Sequence, residues 1–163
     1  MGVNSLIPMN TLATLALALA SMTPPQKEKA EMVILMNSVA QIESGMNFKA
    51  VGDRGNAKGA WQMHISAWIC ANQWRKKNGL PTIKREDWQN AENQKQMGFA
   101  YLMWCKEKLI EGGLKNPSWQ EIYVAFGWGY SNFKDVGFDM SKVPQAKRDA
   151  AERVDNIVKE LLK

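Results

Sequence analysis

The side chain best suited to acid–base chemistry in this sequence is that of Glu43, which follows an apolar helical pattern and precedes a glycine-rich stretch. Met32, Met36 and Val39 recur at steps of four and three residues, which predicts one apolar helix face. Glu43 lies four residues past Val39, so its carboxyl group is expected on that face. A carboxyl group in such partly desolvated surroundings can act as a general acid. It can equally be a structural acid that accepts hydrogen bonds from backbone amides of the next loop, and the spacing leaves both roles open.

Helices are predicted to hold this acid and to form nearly all of the domain. Thr23 and Pro24 predict a helix start, and Gly45 predicts its end just after Glu43. Residues 46–60 are rich in glycine and polar side chains, which predicts a loop or a short irregular hairpin. No convincing pair of strands is visible, so the predicted fold class is all-α and bundle-like, with α+β as its limit. Further helices are predicted at about 61–77 and from Asp87 or Asn90 to about Leu109. Another is predicted from Ser118 to a stop at Gly127 and Gly129. A closing helix carries Val154, Ile157, Val158 and Leu161 on one face.

Length and composition indicate one folded domain without cofactor chemistry. The chain has 163 residues, of which 45% are hydrophobic, and a net charge of +5 that is spread along its length. Such a charge favours polyanionic partners, but the sequence contains no basic run, zinc-binding spacing or RNA-binding signature, which argues against nucleic acid. A single histidine makes no metal site, and neither a metal nor an organic cofactor is indicated. At least half of the seven tryptophans are expected in the core, and the others are candidates for stacking on a ligand.

The first 22 residues are predicted to be an apolar segment distinct from the domain at 23–163. Residues 18–20, Ala-Leu-Ala, resemble a signal-peptide cleavage site, but no Lys or Arg precedes them. The apolar run is also shorter than the roughly 20 residues that a membrane-spanning helix needs. We therefore expect no transmembrane span and no signal peptide here, but a helix packed on its own domain or docked on a partner.

The two cysteines, Cys70 and Cys105, stand far apart and form no CxxC motif. Each lies among apolar neighbours, which predicts buried free thiols. A disulfide between two packed helices is the alternative.

Four groups of residues along the chain follow the order of motifs in a known family. The first comprises Glu43-Ser44-Gly45 together with Gly59 and Gln62-Met63. The others are Asn93, Gly98 and Tyr101-Leu102, then residues 118–133 (SWQEIYVAFGWGYSNF), and lastly Val143-Pro144 with the closing helix. In this order they resemble soluble lytic transglycosylases and goose-type lysozymes, over about residues 30–160.

The resemblance implies a lysozyme-like helical fold with a glycine-rich active-site loop and a groove for the glycan strands of peptidoglycan. It assigns Glu43 as the acid that protonates the bond between N-acetylmuramic acid and N-acetylglucosamine, after which the C6 hydroxyl of the muramic acid closes a 1,6-anhydro ring. The substrate-binding residues implied are Ser44, Gly59, Trp61, Gln62, Phe126, Trp128 and Tyr130. Of these, Gln62 would bond sugar or acid, and Trp61, Trp128 and Tyr130 would stack on sugar faces.

Two positions depart from the family's pattern. Its alanine-tyrosine-asparagine motif falls on Phe126 and Gly127, so the tyrosine hydroxyl that would bond the acid is missing. Trp128 and Tyr130 are candidates to replace the lost contacts, and the hydroxyl of Tyr101 or Tyr123 is another.

Asp53 is a candidate for a second catalytic carboxylate. Its Asp-x-Gly loop is similar to that of invertebrate-type lysozymes, in which an aspartate activates water or stabilises an oxocarbenium-like charge. Asp-x-Gly is also favourable turn chemistry, so a turn aspartate that bonds its own backbone is the other interpretation.

The function predicted is a peptidoglycan lytic transglycosylase. The alternatives are a hydrolytic lysozyme that uses Asp53, a non-catalytic virion or secretion-machine subunit with a lysozyme-like fold, and a basic helical nucleic-acid binder. Delivery to the cell wall or periplasm is expected from a bacteriophage, either within the virion or at lysis. Residues 1–22 would then dock on tail or other virion proteins.

Overall fold

The computed structural model describes residues 17–163, and this part of the chain is mostly helical with one small two-stranded sheet. The predicted fold class, all-α with α+β as its limit, is confirmed at this level. In chain order, the helices are α1 (Pro24–Ser44), α2 (Ile65–Lys77), α3 (Ala91–Glu111), α4 (Trp119–Val124), α5 (Tyr130–Asp135) and α6 (Gln145–Leu161). Strands β1 (Val51–Gly52) and β2 (Ala57–Lys58) form an antiparallel hairpin, and short 3-10 turns lie at Asp53–Gly55, Arg85–Gln89 and Met140–Lys142.

Helix α1 begins and ends where the sequence predicts. The Thr23 amide donates a hydrogen bond to Gln26 Oε1 (2.9 Å), and Pro24 occupies the first turn, where it removes no helical hydrogen bond. At the other end, Gly45 adopts a left-handed conformation with φ 63°, which ends the helix. Glu43 therefore lies in the last turn of a long helix whose position in the sequence is set at both ends.

The hydrophobic core lies between α1, α3, α4 and α6, with α2 packed along α3. Its central side chains have almost no solvent exposure, and burying each one contributes roughly 1.5–3 kcal/mol relative to leaving it in water. They are Met32, Leu35 and Val39 of α1, Met97, Leu102 and Leu109 of α3, Ile122 and Val124 of α4, and Val154 and Val158 of α6. This core fixes the end of α1, and hence Glu43, against α4.

Helix α2 begins at Ile65 rather than at Trp61, so its predicted start is wrong. Gln62 has a left-handed backbone (φ 47°), and Met63 pairs with Lys58 in an isolated β-bridge. Neither conformation is helical, and both residues take part in the hairpin loop. The stretch before α2 therefore belongs to the loop that faces Glu43.

The glycines at 127 and 129 are predicted to stop the helix that begins at Trp119, and the helical conformation does break at Gly129, whose φ of 99° and ψ of 135° are not helical. Before that break, α4 passes into a wide π-helical turn, Ala125–Gly129, which the sequence did not predict, and α5 begins after it. Such a turn inserts one residue into a helix and is frequent at functional sites. A Cβ on Gly127 would lie 3.6 Å from Glu43 Oε1, so the glycine leaves room beside the acid.

Most of the predicted N-terminal segment, residues 1–22, lies outside the described residues. Within it, residues 17–21 are helical, with Leu19 buried and Leu17 exposed. Among the described helices, none combines the length and the apolar composition that crossing a membrane requires.

Both cysteines are free, as predicted. Cys105 is buried in α3 and Cys70 is partly buried in α2. Burial raises the pKa of each thiol. Both groups are therefore packing residues that stay protonated at neutral pH.

Candidate active site

A cleft of about 420 Å³ lies where the end of α1 meets the hairpin, the start of α2 and the π turn. It brings together five of the nine predicted site residues, although they come from distant parts of the sequence. These five are Glu43, Asp53, Gln62, Phe126 and Trp128. The cleft is also lined by His64, Tyr101, Gly127 and Lys147, among others.

A larger groove of about 640 Å³ lies between α1, α2 and α3. Its lining is mostly apolar, with side chains such as Val33, Trp74, Leu80 and Phe99. It contains none of the predicted site residues. The smaller cleft is the candidate active site because it brings together Glu43 and four other predicted site residues from distant parts of the sequence.

The closest polar contact in the cleft joins Glu43 to Tyr123. The Tyr123 hydroxyl donates a hydrogen bond of 2.7 Å to Glu43 Oε1, and the tyrosine is only 2% exposed. Burial, and after it the charge and hydrogen bond of Glu43, raise the pKa of Tyr123, so the phenol remains a donor. Among residues 17–163, no group donates a hydrogen bond to the other oxygen, Oε2. One carboxylate oxygen is thus held and the other is available for chemistry.

Tyr123 supplies the hydroxyl that the sequence lacks at Phe126, which confirms one of the two tyrosines considered. Tyr101 does not take that role: its ring lines the cleft and packs against Phe126 at 5.1 Å, and among the described residues only the Tyr123 hydroxyl donates to Glu43.

Asp53 lies at the tip of the hairpin, beside His64. Its Oδ2 is 3.3 Å from His64 Nε2, and the two side chains are 60% and 47% exposed. The turn itself is closed by backbone groups, Asn56 N–H to Asp53 O (3.0 Å), and both Asp53 (φ 47°) and Arg54 (φ 51°) adopt left-handed conformations. Such conformations cost on the order of 1–3 kcal/mol each and concentrate at functional sites. The carboxylate contacts a cleft residue rather than its own backbone, which departs from a simple turn aspartate.

Gln94 of α3 holds the loop of the site together, and the sequence analysis missed it. Its side chain is 3% exposed: Oε1 accepts from Ala60 N–H, and Nε2 donates to the carbonyls of Phe48 and Trp88, each at 2.8 Å. A buried amide with all three contacts satisfied is a strong constraint on a loop. The available signal was that Gln94 lies on the same helix stripe as Gly98 and Tyr101.

Gly59 and Ser44, predicted to bind substrate, instead shape the loop. Gly59 has φ 75°, and a Cβ there would lie 2.2 Å from Gln94 Oε1, so no other residue fits without displacing that amide. The Ser44 hydroxyl donates to Ala60 O (2.8 Å) and accepts from Asn47 N–H (3.0 Å). Neither residue lines the cleft; Gly59 is buried, and substrate contact by the partly exposed Ser44 stays a prediction.

Trp61 cannot stack on a sugar in this cleft, which corrects one prediction. Trp61 is 1% exposed, and its Nε1 donates to Met36 O at 2.8 Å. Its ring packs so closely on α3 that a Cβ on Gly98 would lie 2.9 Å away. Trp61 is therefore a packing residue. Tyr130 does not line the cleft, its ring lies 6.0 Å from that of Trp104, and it is partly exposed, so stacking by Tyr130 stays a prediction.

The remaining predicted binding residues do face the cleft. Gln62 donates from Nε2 to Gly59 O at 2.9 Å, and its strained backbone turns the side chain toward the hairpin. Phe126 and Trp128 are partly exposed on the π turn. Flat apolar rings of this kind can pack on the faces of sugars. Sugar binding by these three residues stays a prediction.

Among the described residues, no three His, Cys, Asp or Glu side chains are placed to hold a metal ion together. Comparison of the chain with protein-family models, with curated proteins and with solved structures gives no significant match. The candidate function therefore depends on the residues of the cleft and on the motif resemblance.

Proposed function

We propose that the protein is a peptidoglycan-cleaving glycosidase with a lysozyme-like fold, and that it acts as a lytic transglycosylase. The observation that carries the proposal is the Tyr123–Glu43 hydrogen bond at 2.7 Å within a cleft that also presents aromatic rings. A carboxyl group held by one oxygen, with the other available, meets the geometric need of a general acid. The resemblance of the motifs supplies the substrate class.

The proposed reaction uses Glu43 twice. Its protonated oxygen gives the proton to the glycosidic oxygen as the bond from C1 of N-acetylmuramic acid breaks, and N-acetylglucosamine leaves with a free hydroxyl. The carboxylate that results takes the proton of the muramic acid's C6 hydroxyl, whose oxygen bonds to C1 and closes the 1,6-anhydro ring. No water is consumed, so one carboxyl group suffices. Tyr123 holds Oε1 throughout, which directs Oε2 at the bond.

Hydrolysis is the second candidate, and the position of Asp53 favours it. The Asp53 carboxylate and His64 lie in the same cleft as Glu43. Two carboxyl groups across a glycosidic bond are the usual means of adding water to it, one as the acid and one as the base. In that case Asp53 would remove a proton from water, and the product would carry an ordinary reducing end.

A non-catalytic subunit is less well supported. A docking piece has no use for a carboxylate held by a buried tyrosine, nor for strained residues around an open cleft. Carriage in a phage particle, with residues 1–22 as the attachment, remains the setting that we propose for the enzyme.

The test is an assay of cell-wall digestion, in which the loss of turbidity of purified walls gives the rate. Glu43→Gln keeps the shape of the side chain but removes its transferable proton, so the rate should fall roughly a hundredfold or more. Glu31→Gln makes the same chemical change on α1 outside the cleft and should digest walls like the parent. Walls that the parent leaves intact, or equal rates for Glu43→Gln and the parent, would show that the proposed function is wrong.

A further inference from the structure

Lys147 is a charged group in the cleft that the proposed reaction does not use. It lies in the first turn of α6, and its partly buried side chain lines the cleft with Glu43 and Trp128. Lysine side chains usually extend into water, because burial of the ammonium group is unfavourable without a partner. A lysine directed into a cleft therefore raises the question of what it contacts there.

The described residues provide no such partner. Among residues 17–163, no carboxylate lies within salt-bridge distance of Lys147. Other cations of α6 are engaged: Arg148 donates to Ser141 O (2.8 Å), and Lys159 pairs with Asp155 (2.6 Å). Lys147 differs from these neighbours on the same helix by facing the cleft.

The two acids of the cleft are occupied by other contacts. Glu43 accepts the hydrogen bond of Tyr123, and Asp53 contacts His64. Lys147 is thus the cation that the α6 side of the cleft offers to an incoming anion.

We propose that Lys147 is a carboxylate-binding subsite, so that the preferred glycan carries an acidic group beside the bond that Glu43 cleaves. This inference depends on the proposed function and names its substrate more closely. Two carboxylates of peptidoglycan have the required chemistry: the lactyl acid of muramic acid when it is free, and the carboxylates of an attached peptide. A charge-assisted hydrogen bond of this kind is about twice as strong as a neutral one. Neutral glucosamine polymers lack the group.

Binding can be measured without catalysis in the Glu43→Gln background by titration calorimetry. The three probes are short glycan strands that carry peptides, the same strands after enzymatic removal of the peptides, and chitotetraose. Lys147→Met should weaken binding of acidic strands about tenfold and leave chitotetraose unchanged, because only the charge contact is lost. Lys147→Arg should retain most of the affinity. Lys134→Met, which removes an exposed charge outside the cleft, is the control and should bind all three probes normally.

The pattern across the probes identifies the source of the carboxylate. A loss confined to strands with peptides assigns the contact to the peptide, and a loss confined to stripped strands assigns it to the lactyl acid. Parental binding of both acidic probes by Lys147→Met would overturn the subsite, as would an equal loss for all three probes. In either case wall digestion by the parent would leave the proposed function standing. If the protein binds none of the probes and digests no cell walls, both the subsite and the proposed function are wrong.

Discussion

The hydrogen bond between Tyr123 and Glu43 joins two helix ends that lie 80 residues apart in the sequence. Since Tyr123 is buried and its pKa is raised by that burial, it donates to Glu43 over the whole range in which a glycosidase works. In the proposed reaction it does not contact the bond to be broken and acts as a positioning residue, which keeps one carboxylate oxygen in place.

Tyr123→Phe tests this role by removing the hydroxyl and keeping the ring. A hydrogen bond to a charged group contributes roughly 1.5–3 kcal/mol, so the rate of wall digestion should fall about ten- to a hundredfold. The loss should appear in kcat rather than in KM, because the tyrosine does not contact the sugars. Tyr130→Phe removes a hydroxyl outside the cleft and should retain full activity. A Tyr123→Phe enzyme as fast as the parent would rule out the positioning role.

At the scale of the elements, the loop from Phe48 to Met63 is held on α3 by the buried amide of Gln94. The side chain of Gln94 bonds two backbone groups of the loop, those of Phe48 and Ala60, and a third at Trp88, and the lack of a side chain at Gly59 lets the amide approach. This loop carries Asp53 and Gln62 into the cleft. The site is therefore built by an interaction between loop and helix that contains no catalytic residue.

Gly59→Ala should disrupt this interaction. The new Cβ would lie 2.2 Å from Gln94 Oε1 and would be held at φ 75°, so we expect the free energy of unfolding to fall by about 3 kcal/mol. Gly79→Ala is the matched control, because Gly79 has φ 70° but open space around its Cα, and it should cost only about 1 kcal/mol. Chemical denaturation of both variants measures the difference. Equal losses would mean that Gln94 does not constrain Gly59.

Helix boundaries were the part of the fold that could be predicted best from the sequence. Thr23, Asn90 and Ser118 cap helices as their types suggest, and the left-handed Gly45 ends α1, because these signals act within a few residues. The π turn before Gly129 was not predicted, because no local sequence signal specifies its extra residue. Gly129 itself breaks the helical conformation, as its residue type suggests.

The acid of the candidate site could be predicted from the sequence, but its binding residues could be predicted less well. The helical spacing from Val39 to Glu43 is local, and it was enough to place the carboxyl group. Trp61 was misassigned because an aromatic ring near a motif can pack in the core or contact a ligand, and only the distant partners of the ring decide which. Gln94 was missed for the same reason, since its three contacts lie outside its own helix.

At the scale of the whole molecule, the buried phenols and thiols should make stability sensitive to high pH. The pKa values of Tyr101 and Tyr123 are raised above the ordinary value of 10.0, mainly by burial. Above about pH 10 the unfolded chain releases these protons while the folded chain retains them, so stability declines as the pH rises. The contribution of the two tyrosines is constant well below that pH, and the buried thiols begin to contribute nearer their ordinary pKa of 9.0.

Tyr123→Phe should reduce that alkaline decline, because one of the responsible groups is gone. Urea unfolding of the parent and the variant at pH 8 and at pH 11 measures it. The stability difference between the two pH values should be smaller for Tyr123→Phe than for the parent. An identical pH dependence would show that Tyr123 ionises as readily in the folded protein as in the unfolded one.

Mass spectrometry of digested peptidoglycan tests the central claim most directly, since it reports both the bond that is cut and the fate of C1. A transglycosylase needs only Glu43, so we predict 1,6-anhydro-muropeptides from the parent, and the same products at nearly the parental rate from Asp53→Asn. In a hydrolase, Asp53→Asn would remove the base and lower the rate roughly a hundredfold or more. Products that end only in reducing muramic acid, with activity abolished in Asp53→Asn, would contradict the account and identify the protein as a lysozyme.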